Sequence, residues 1–387
     1  MKKKKALVYL DHFIIGGAEK SNLHLMKRLI ADGWEVELVL KTSRGTMENQ
    51  IPEAIKVSYL DGGILEKKKG DSKFIIRPKD FLRRLVQKIN MNRYKNQIYD
   101  LAINGLQADA GLIGRYIKAD VKLQWIRIDL NAIKRRGKAL DNLKKYADYI
   151  DGYCCVSQPA LESLLANAPF VKDRAFLIYN FFDQEEISEK IKDDRNPFAI
   201  YDPTRLRVVT VCRIQDRQKG VFRMLNVYKR LYDDGIKFFW FVIGGGEDLE
   251  ELTARVYDLG LNEGFRVLGP KDNPFPYYRH ADLCATLSFY EGFARTVTEG
   301  KLMGKAVIAT EFAGAREQIQ HLSNGYIVDN DEDSIYEGMK TLLTDRVLLE
   351  SITNDFLPDA ILDENLKAEK LYKIIDDIRA RKHERLA

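Results

Sequence analysis

Two carboxylates eight positions apart, Glu291 and Glu299, sit in the stretch Ser288-Phe289-Tyr290-Glu291-Gly292-Phe293-Ala294-Arg295-Thr296-Val297-Thr298-Glu299, which directly follows an apolar run ending at Leu287. A helix starting near Gly292 leaves Glu291 in the loop at its mouth and puts Glu299 about two turns in. One carboxylate then faces the reactive part of a ligand and the other a ribose. The amides of Phe293 and Ala294 at such a helix start point at an anion between them. Taken alone, the pair also reads as a loop acid and a helix salt bridge.

A second cluster follows the apolar run Leu206 to Cys212: Arg213, then Lys219-Gly220 six and seven residues on, at the start of the next helical pattern. Arg as a planar fork and Lys as a point charge can converge on one diphosphate. A solvated loop is the bland alternative. A third begins after the first apolar run, where Asp11-His12-Phe13-Ile14-Ile15 leads into Gly16-Gly17-Ala18-Glu19 and a long helical pattern. Paired glycines allow close backbone approach to a ligand, or simply make a tight strand-to-helix turn. His12 reads as a structural loop residue. No Walker spacing and no G-x-G-x-x-G accompany the glycines, which counts against nucleotide hydrolases and dinucleotide oxidoreductases.

All three clusters follow short apolar runs that alternate with helical periods, the pattern of parallel strands joined by crossover helices. Strands are expected near residues 6–10, 35–40, 57–60, 101–103, 123–126, 152–156 and 176–178, then near 206–212, 238–243, 265–268, 282–287, 306–309 and 326–328. A polar, turn-rich interval separates the two sets. The expected organisation is an N-terminal Rossmann-like domain over 1–185, a linker over 186–204, a second Rossmann-like domain over 205–363, and a charged helix over 364–387 that packs back on the first. Ligands of such sheets bind at the carboxyl ends of the strands, with the cleft between domains the first place to look.

Composition agrees with two cores: 387 residues, 45% hydrophobic and 31% charged, with only 10 Pro. The net charge of +5 hides an asymmetry, with residues 1–200 carrying 36 Lys and Arg against 26 Asp and Glu and the remainder 26 against 31. Something anionic meeting the first half is one reading, a solvated basic surface the other. Cys154, Cys155, Cys212 and Cys284 lack C-x-x-C spacing and lie in apolar runs, so they read as buried thiols in a reducing cytoplasm. The apolar run after Lys2 to Lys5 is too short for export, and no run approaches a membrane span.

In this order the motifs resemble glycosyltransferase family 4, retaining sugar transferases of the GT-B fold. Gly16 to Glu19 resembles the family's first-strand loop, Arg213 with Lys219-Gly220 its R-x5-K-G, Gly244-Gly245-Gly246-Glu247 its G-x-G-E loop, and Glu291 to Glu299 its E-x7-E. The resemblance covers nearly the whole chain and is strongest from Leu206 to Val328. It implies that Arg213 and Lys219 hold a donor diphosphate with help from Gly16, Gly17 and the Gly292-Phe293-Ala294 backbone. Glu299 would bind the ribose, Glu291 the donor sugar near its 3-hydroxyl, and Gly245, Pro270 and Lys271 would lie near the nucleotide. The implied substrate is a nucleoside-diphosphate sugar, UDP in preference to GDP, with no cofactor and no metal.

The segment Trp125-Ile126-Arg127-Ile128-Asp129 is similar to the family's Trp-Ile-His-x-Asp run, with Arg127 where the family has His. Arg127 and Asp129 are catalytic candidates by that resemblance. Arg keeps a donor but cannot exchange a proton near neutral pH. Lys67 to Lys95 contains eleven Lys and Arg, with Phe81, Leu82, Leu85, Val86 and Ile89 as an apolar stripe. Lys79, Arg83, Arg84 and Lys88 are therefore candidates for meeting an anionic membrane carrying a lipid-linked saccharide acceptor. Packing of the stripe on the first sheet is the alternative. Sparse aromatics and no recognised module argue against nucleic acid. Polysaccharide, capsule or lipopolysaccharide synthesis is the implied setting. A noncatalytic subunit of the same fold and a sugar-nucleotide epimerase are the competing readings.

Overall fold

The computed structural model describes residues 3–14, 16–43, 45, 47–62, 73–106, 110–133, 136–353 and 357–386. The chain divides into two units, residues 1–182 with 363–387, and 183–362. In the first, β1 (Lys5–Leu10), β2 (Glu35–Leu40), β3 (Ile55–Tyr59), β4 (Ile98–Asn104), β5 (Lys118–Ile126), β6 (Gly152–Cys155) and β7 (Ala175–Leu177) form one sheet in the order β3-β2-β1-β4-β5-β6-β7. Every pairing is parallel. Helices cover the sheet, so its strands read as continuous apolar runs: β1 and β2 are buried at every position after the first.

The second unit repeats the scheme with β8 (Arg207–Val211), β9 (Phe239–Ile243), β10 (Phe265–Gly269), β11 (Leu283–Thr286), β12 (Ala306–Thr310) and β13 (Tyr326–Val328) in the order β10-β9-β8-β11-β12-β13. Its core lies on both faces of this sheet. Trp240, Val242, Leu283 and Ile308 pack on one side, Phe241, Ile243, Cys284 and Val307 on the other. In each unit the strand order reverses once, between β1 and β4 and between β8 and β11. At such a switch point the flanking connections leave to opposite faces and open a crevice at the strands' carboxyl ends.

One segment differs from a reading based on polarity. Residues 186–204, expected as a linker, pack on the second unit. Asp183 caps the helix Gln184–Ile191 by accepting the Glu186 amide at 2.9 Å. Phe198 is buried and stacks on Phe241 at 4.2 Å, and Asn273 donates to the Lys190 carbonyl at 2.9 Å. The helix Glu364–Leu386 belongs to the first unit. It buries Leu371, Ile375 and Ile378, stacks Tyr372 on Trp34 at 6.2 Å, and ends with Lys382 donating to Asp151 at 2.7 Å.

Candidate functional site in the second unit

The loops leaving β8 and β11, the two strands that flank the switch point, carry the candidate residues Arg213, Lys219 and Glu291. After β8 the backbone is held by its neighbour: Cys212 donates to the Ile243 carbonyl and Ile214 to the Gly245 carbonyl, both at 2.9 Å. This pairing demands glycine. Gly244 has φ +147°, and a Cβ there would lie 1.8 Å from the Cys212 carbonyl oxygen; one at Gly246 would lie 2.1 Å from that of Ile214. Arg213 lies between these anchored residues, half-buried, at the end of β8. A Cβ at Gly245 would lie 3.9 Å from the Pro270 ring, so the ends of β9 and β10 meet beside it. Pro270 and Lys271 are exposed there.

The short helix Asp216–Lys219 ends at Gly220, which takes the left-handed conformation at φ +64° and lets a longer helix, Val221–Asp233, start in a new direction. Lys219 is thereby turned toward the loop after β11, where its Nζ donates to Glu291 Oε1 in an ion pair. Ser288 Oγ donates to the same oxygen at 2.6 Å, and Gln218 Nε2 to Oε2 at 3.4 Å. The Lys219 and Glu291 side chains are 19% and 10% exposed, enough shielding to strengthen the pair while leaving both reachable from solvent. Thr310, at the end of β12, donates to the Ser288 carbonyl at 2.7 Å. Three adjacent strands thus contribute to one carboxylate.

The helix carrying Glu299 runs from Arg295 to Leu302, with Ala294 as its extended N-cap residue. It therefore begins three residues later than expected. The first helical amides belong to Arg295 and Thr296 rather than to Phe293 and Ala294, and Glu299 lies little more than one turn in. The reason is local: Gly292, Phe293 and Ala294 are all buried, with Ala294 and Val297 in the core under the sheet. Glu299 is buried too, and both its oxygens have partners. Tyr278 donates to Oε2 at 3.2 Å, and Arg295 lies 3.7 Å from Oε1. Burial, then the Glu299 charge, pushes the Tyr278 phenol well above its ordinary range, so it remains a donor.

Burial also raises the thiols near this site. Cys212 and Cys284 are each pushed up to about 12, the Lys219 ammonium opposing the shift at Cys212. They are structural thiols, not nucleophiles.

In the first unit, Gly16 is the extended N-cap of the helix Gly17–Ala31, and His12 pairs with buried Glu19 at 3.2 Å. Arg127, at the end of β5, is fastened to the protein. Its Nε donates to the Gly105 carbonyl at 2.6 Å, Nη1 to Asn180 Oδ1 at 2.8 Å and Nη2 to Asn22 Oδ1 at 3.0 Å. Asn22 donates to the same Gly105 carbonyl at 3.0 Å. This network ties the loop after β4 to the helix that follows Gly16, across the first unit's own switch point. Asp129 accepts the Asn131 amide at 2.8 Å in a turn.

The basic helix runs from Lys73 to Asn92. Val86 approaches Gly62, Gln87 donates to the Lys41 carbonyl at 3.1 Å and Asn90 to that of Leu60 at 2.9 Å. The rest of the apolar stripe does not pack on the sheet: Phe81 is 72% exposed, Leu82 50%, Leu85 45% and Ile89 52%. Arg84 and Lys88 are exposed beside them and Arg83 is half-buried, while the side chain of Lys79 lies outside the described residues. Among the described residues no helix is long and apolar enough to cross a membrane.

Several partners in these networks were not marked by sequence spacing. Tyr278 lies on a separate helix from Glu299, and Gln218 and Ser288 look unremarkable in a polar loop. Only the topology brings them together.

Two Rossmann-like parallel sheets of this order make a GT-B fold. Solved structures agree: HepE of Anabaena in complex with UDP-glucose superposes with a TM-score of 0.68 at 19% identity over 98% of this chain and 99% of that one. TarM of S. aureus gives 0.72 at 13% identity over 96% and 99%. Residues 177–355, a stretch that contains Arg213, Lys219, Glu291 and Glu299, match the model of the family Glycosyl transferases group 1.

Among characterised proteins, an N-acetylgalactosamine-N,N'-diacetylbacillosaminyl-diphospho-undecaprenol 4-alpha-N-acetylgalactosaminyltransferase of Campylobacter jejuni is 30% identical over 200 residues, 51% of this chain and 52% of that protein. The amylovoran biosynthesis glycosyltransferase AmsD of Erwinia amylovora is 29% identical over 131 residues, 34% of this chain and 36% of that protein. The chain spans about half the length, or less, of these curated relatives.

Proposed function

We propose that this protein is a retaining glycosyltransferase that moves a sugar from a nucleoside-diphosphate donor, UDP in preference to GDP, to a saccharide or lipid-linked saccharide acceptor in polysaccharide or lipopolysaccharide synthesis. The observation that carries this reading is the convergence of Lys219 on Glu291 at the β8/β11 switch point, with Arg213 on the same β8 connection as Lys219 and Glu299 on the helix after Glu291. The relatives named above, one acting on a diphospho-undecaprenol saccharide and one in amylovoran synthesis, support the acceptor class. The UDP-glucose complex of the Anabaena protein supports the donor class.

In this reading the bond between the sugar C1 and the β-phosphate oxygen breaks, with the electron pair leaving on that oxygen. Arg213 and Lys219 stabilise the charge that collects there. The acceptor hydroxyl attacks C1 from the same face, and its proton passes to the departing phosphate. Glu291 orients the donor sugar through its hydroxyls and Glu299 fixes the ribose. Arg127 serves as a positioning residue that holds the loop after β4 and the helix after Gly16 in register. Its three protein partners support that role over proton exchange.

The exposed Phe81, Leu82, Leu85 and Ile89, flanked by Arg84 and Lys88, support seating of the first unit on an anionic membrane surface where such an acceptor is held. The deciding assay incubates the protein with radiolabelled UDP- and GDP-sugars and a polyprenyl-diphosphate saccharide, followed by assignment of the new glycosidic bond by NMR. A product with the donor's anomeric configuration supports the reading. An inverted product, or a changed nucleotide sugar without acceptor, overturns it in favour of another chemistry.

A further inference from the structure

Arg223 lies on the helix Val221–Asp233, four residues past Lys219, and is 6% exposed. A buried guanidinium needs several acceptors to offset its lost hydration. Here they all belong to one loop or to its support. Nε donates to the Leu287 carbonyl at 3.2 Å, and Nη2 donates to the same oxygen. Nη1 donates to Asn330 Oδ1 at 2.8 Å, and Asn330 in turn donates to the Phe289 carbonyl at 2.7 Å. The guanidinium also lies 3.9 Å from the centre of the Phe289 ring, and the Phe289 amide donates to Gln218 at 2.8 Å.

These bonds hold the backbone at Leu287 and Phe289, the residues on either side of Ser288 and four and two positions before Glu291. The space for this arrangement comes from Gly220: a Cβ there would lie 2.6 Å from Arg223 Nε. Gly220 therefore turns the chain after Lys219 and also admits the side chain that fixes the loop carrying Lys219's partner.

We infer that Arg223 is a positioning residue for the transfer reaction, acting through Leu287, Phe289 and Asn330 to set where the Glu291 carboxylate meets the donor sugar. The inference rests on the reading of this site as a donor-sugar site, and it adds a residue outside the motifs that define that reading. Lys cannot replace it, because one ammonium cannot span the Leu287 carbonyl, Asn330 and the Phe289 ring at once.

The test compares wild type, Arg223→Lys and Asn330→Ala, the last retaining the buried charge as insurance against a misfolded Lys variant. Amide hydrogen exchange over 287–291 is expected to quicken at least tenfold in both, with the β8 and β11 core unchanged. With a UDP-sugar donor, kcat is expected to fall about 30-fold in Arg223→Lys, while the affinity for UDP alone changes less than threefold. In a Glu291→Gln background the same substitution is expected to add less than threefold. Unchanged exchange in both variants, or equal losses of kcat with and without Glu291, overturns the inference. If the wild-type protein transfers from no donor, the transferase reading fails, and the exchange result still decides whether Arg223 fixes the loop.

Discussion

Lys219 and Glu291 are 72 residues apart in the chain and form an ion pair across the crevice between the β8 and β11 loops. In the proposed reaction both must turn part of their bonding toward a ligand, Lys219 to the diphosphate and Glu291 to the sugar. Ser288 and Gln218, also on Glu291, keep its carboxylate in place during that exchange. In that reaction the pair is the resting arrangement of two groups that act separately.

Their roles are separable by kinetics. Lys219→Ala should lower kcat/KM by roughly 10²- to 10³-fold and weaken nucleoside-diphosphate binding. Glu291→Gln should reduce kcat while leaving UDP affinity within a few-fold. Stopped assays paired with calorimetry check both, and the reverse pattern would exchange the assignments. In the absence of ligand, a double-mutant cycle on the pair should show coupling of about 1–3 kcal/mol.

Glu299 and Tyr278 should affect the nucleotide instead. Glu299→Ala is expected to weaken UDP binding about 10- to 100-fold, the value of one or two hydrogen bonds to a charged acceptor. Tyr278→Phe removes only the 3.2 Å support bond and should cost about 3- to 10-fold. Titration calorimetry with UDP and with 2'-deoxy-UDP measures both, and the deoxy nucleotide should lose less when Glu299 is absent.

Arg127→Ala removes three hydrogen bonds and leaves Asn22 and Asn180, both buried, short of a donor. Unfolding should show a loss of about 2–4 kcal/mol assigned to the first unit. If Arg127 were instead a proton-transfer group, the variant would keep its stability and change the pH profile of kcat.

Stability should fall at alkaline pH. Cys155, Cys212 and Cys284 are pushed up to about 12 by burial, against about 8.5 in an unfolded chain. The folded protein therefore holds more protons than the unfolded one between those values. The stabilising contribution is complete below about pH 8.5 and is lost as pH rises toward 12. Denaturant midpoints from pH 7 to 11 should decline above pH 9, and the thiols should resist alkylation at pH 8 until the protein unfolds.

On vesicles, Phe81→Ser with Leu85→Ser should abolish binding to anionic bilayers. Arg84→Glu and Lys88→Glu should each weaken it by about 1 kcal/mol, roughly fivefold, at low salt. Cosedimentation at two salt concentrations measures this. Binding that ignores all four substitutions would locate the membrane contact elsewhere.

Strand positions were legible because parallel strands covered on both faces leave unbroken apolar runs; the thirteen strands among the described residues all lie where such runs occur. β4 and β5 extend further back, to Ile98 and Lys118, because Asp100 and Asp120 interrupt the run without ending the ladder. Spacing singled out Arg213, Lys219, Glu291 and Glu299 as candidates, and of these the structure joins Lys219 to Glu291. Ser288, Tyr278, Arg223 and Asn330 were not singled out, since their relation to those residues exists only after four strands assemble. The start of the helix at Arg295 was misplaced because Gly292 signals a turn, while burial of Phe293 and Ala294 decides where the helix begins.

The central claim is that the β8/β11 crevice binds a nucleoside-diphosphate sugar, and thermal unfolding with UDP, GDP and their sugar conjugates tests it without an acceptor. One nucleotide family at 100 times its Kd should add about 2.7 kcal/mol to stability, visible as a rise in Tm that Lys219→Ala abolishes. No rise with any of them, or a rise that Lys219→Ala leaves intact, would contradict the account.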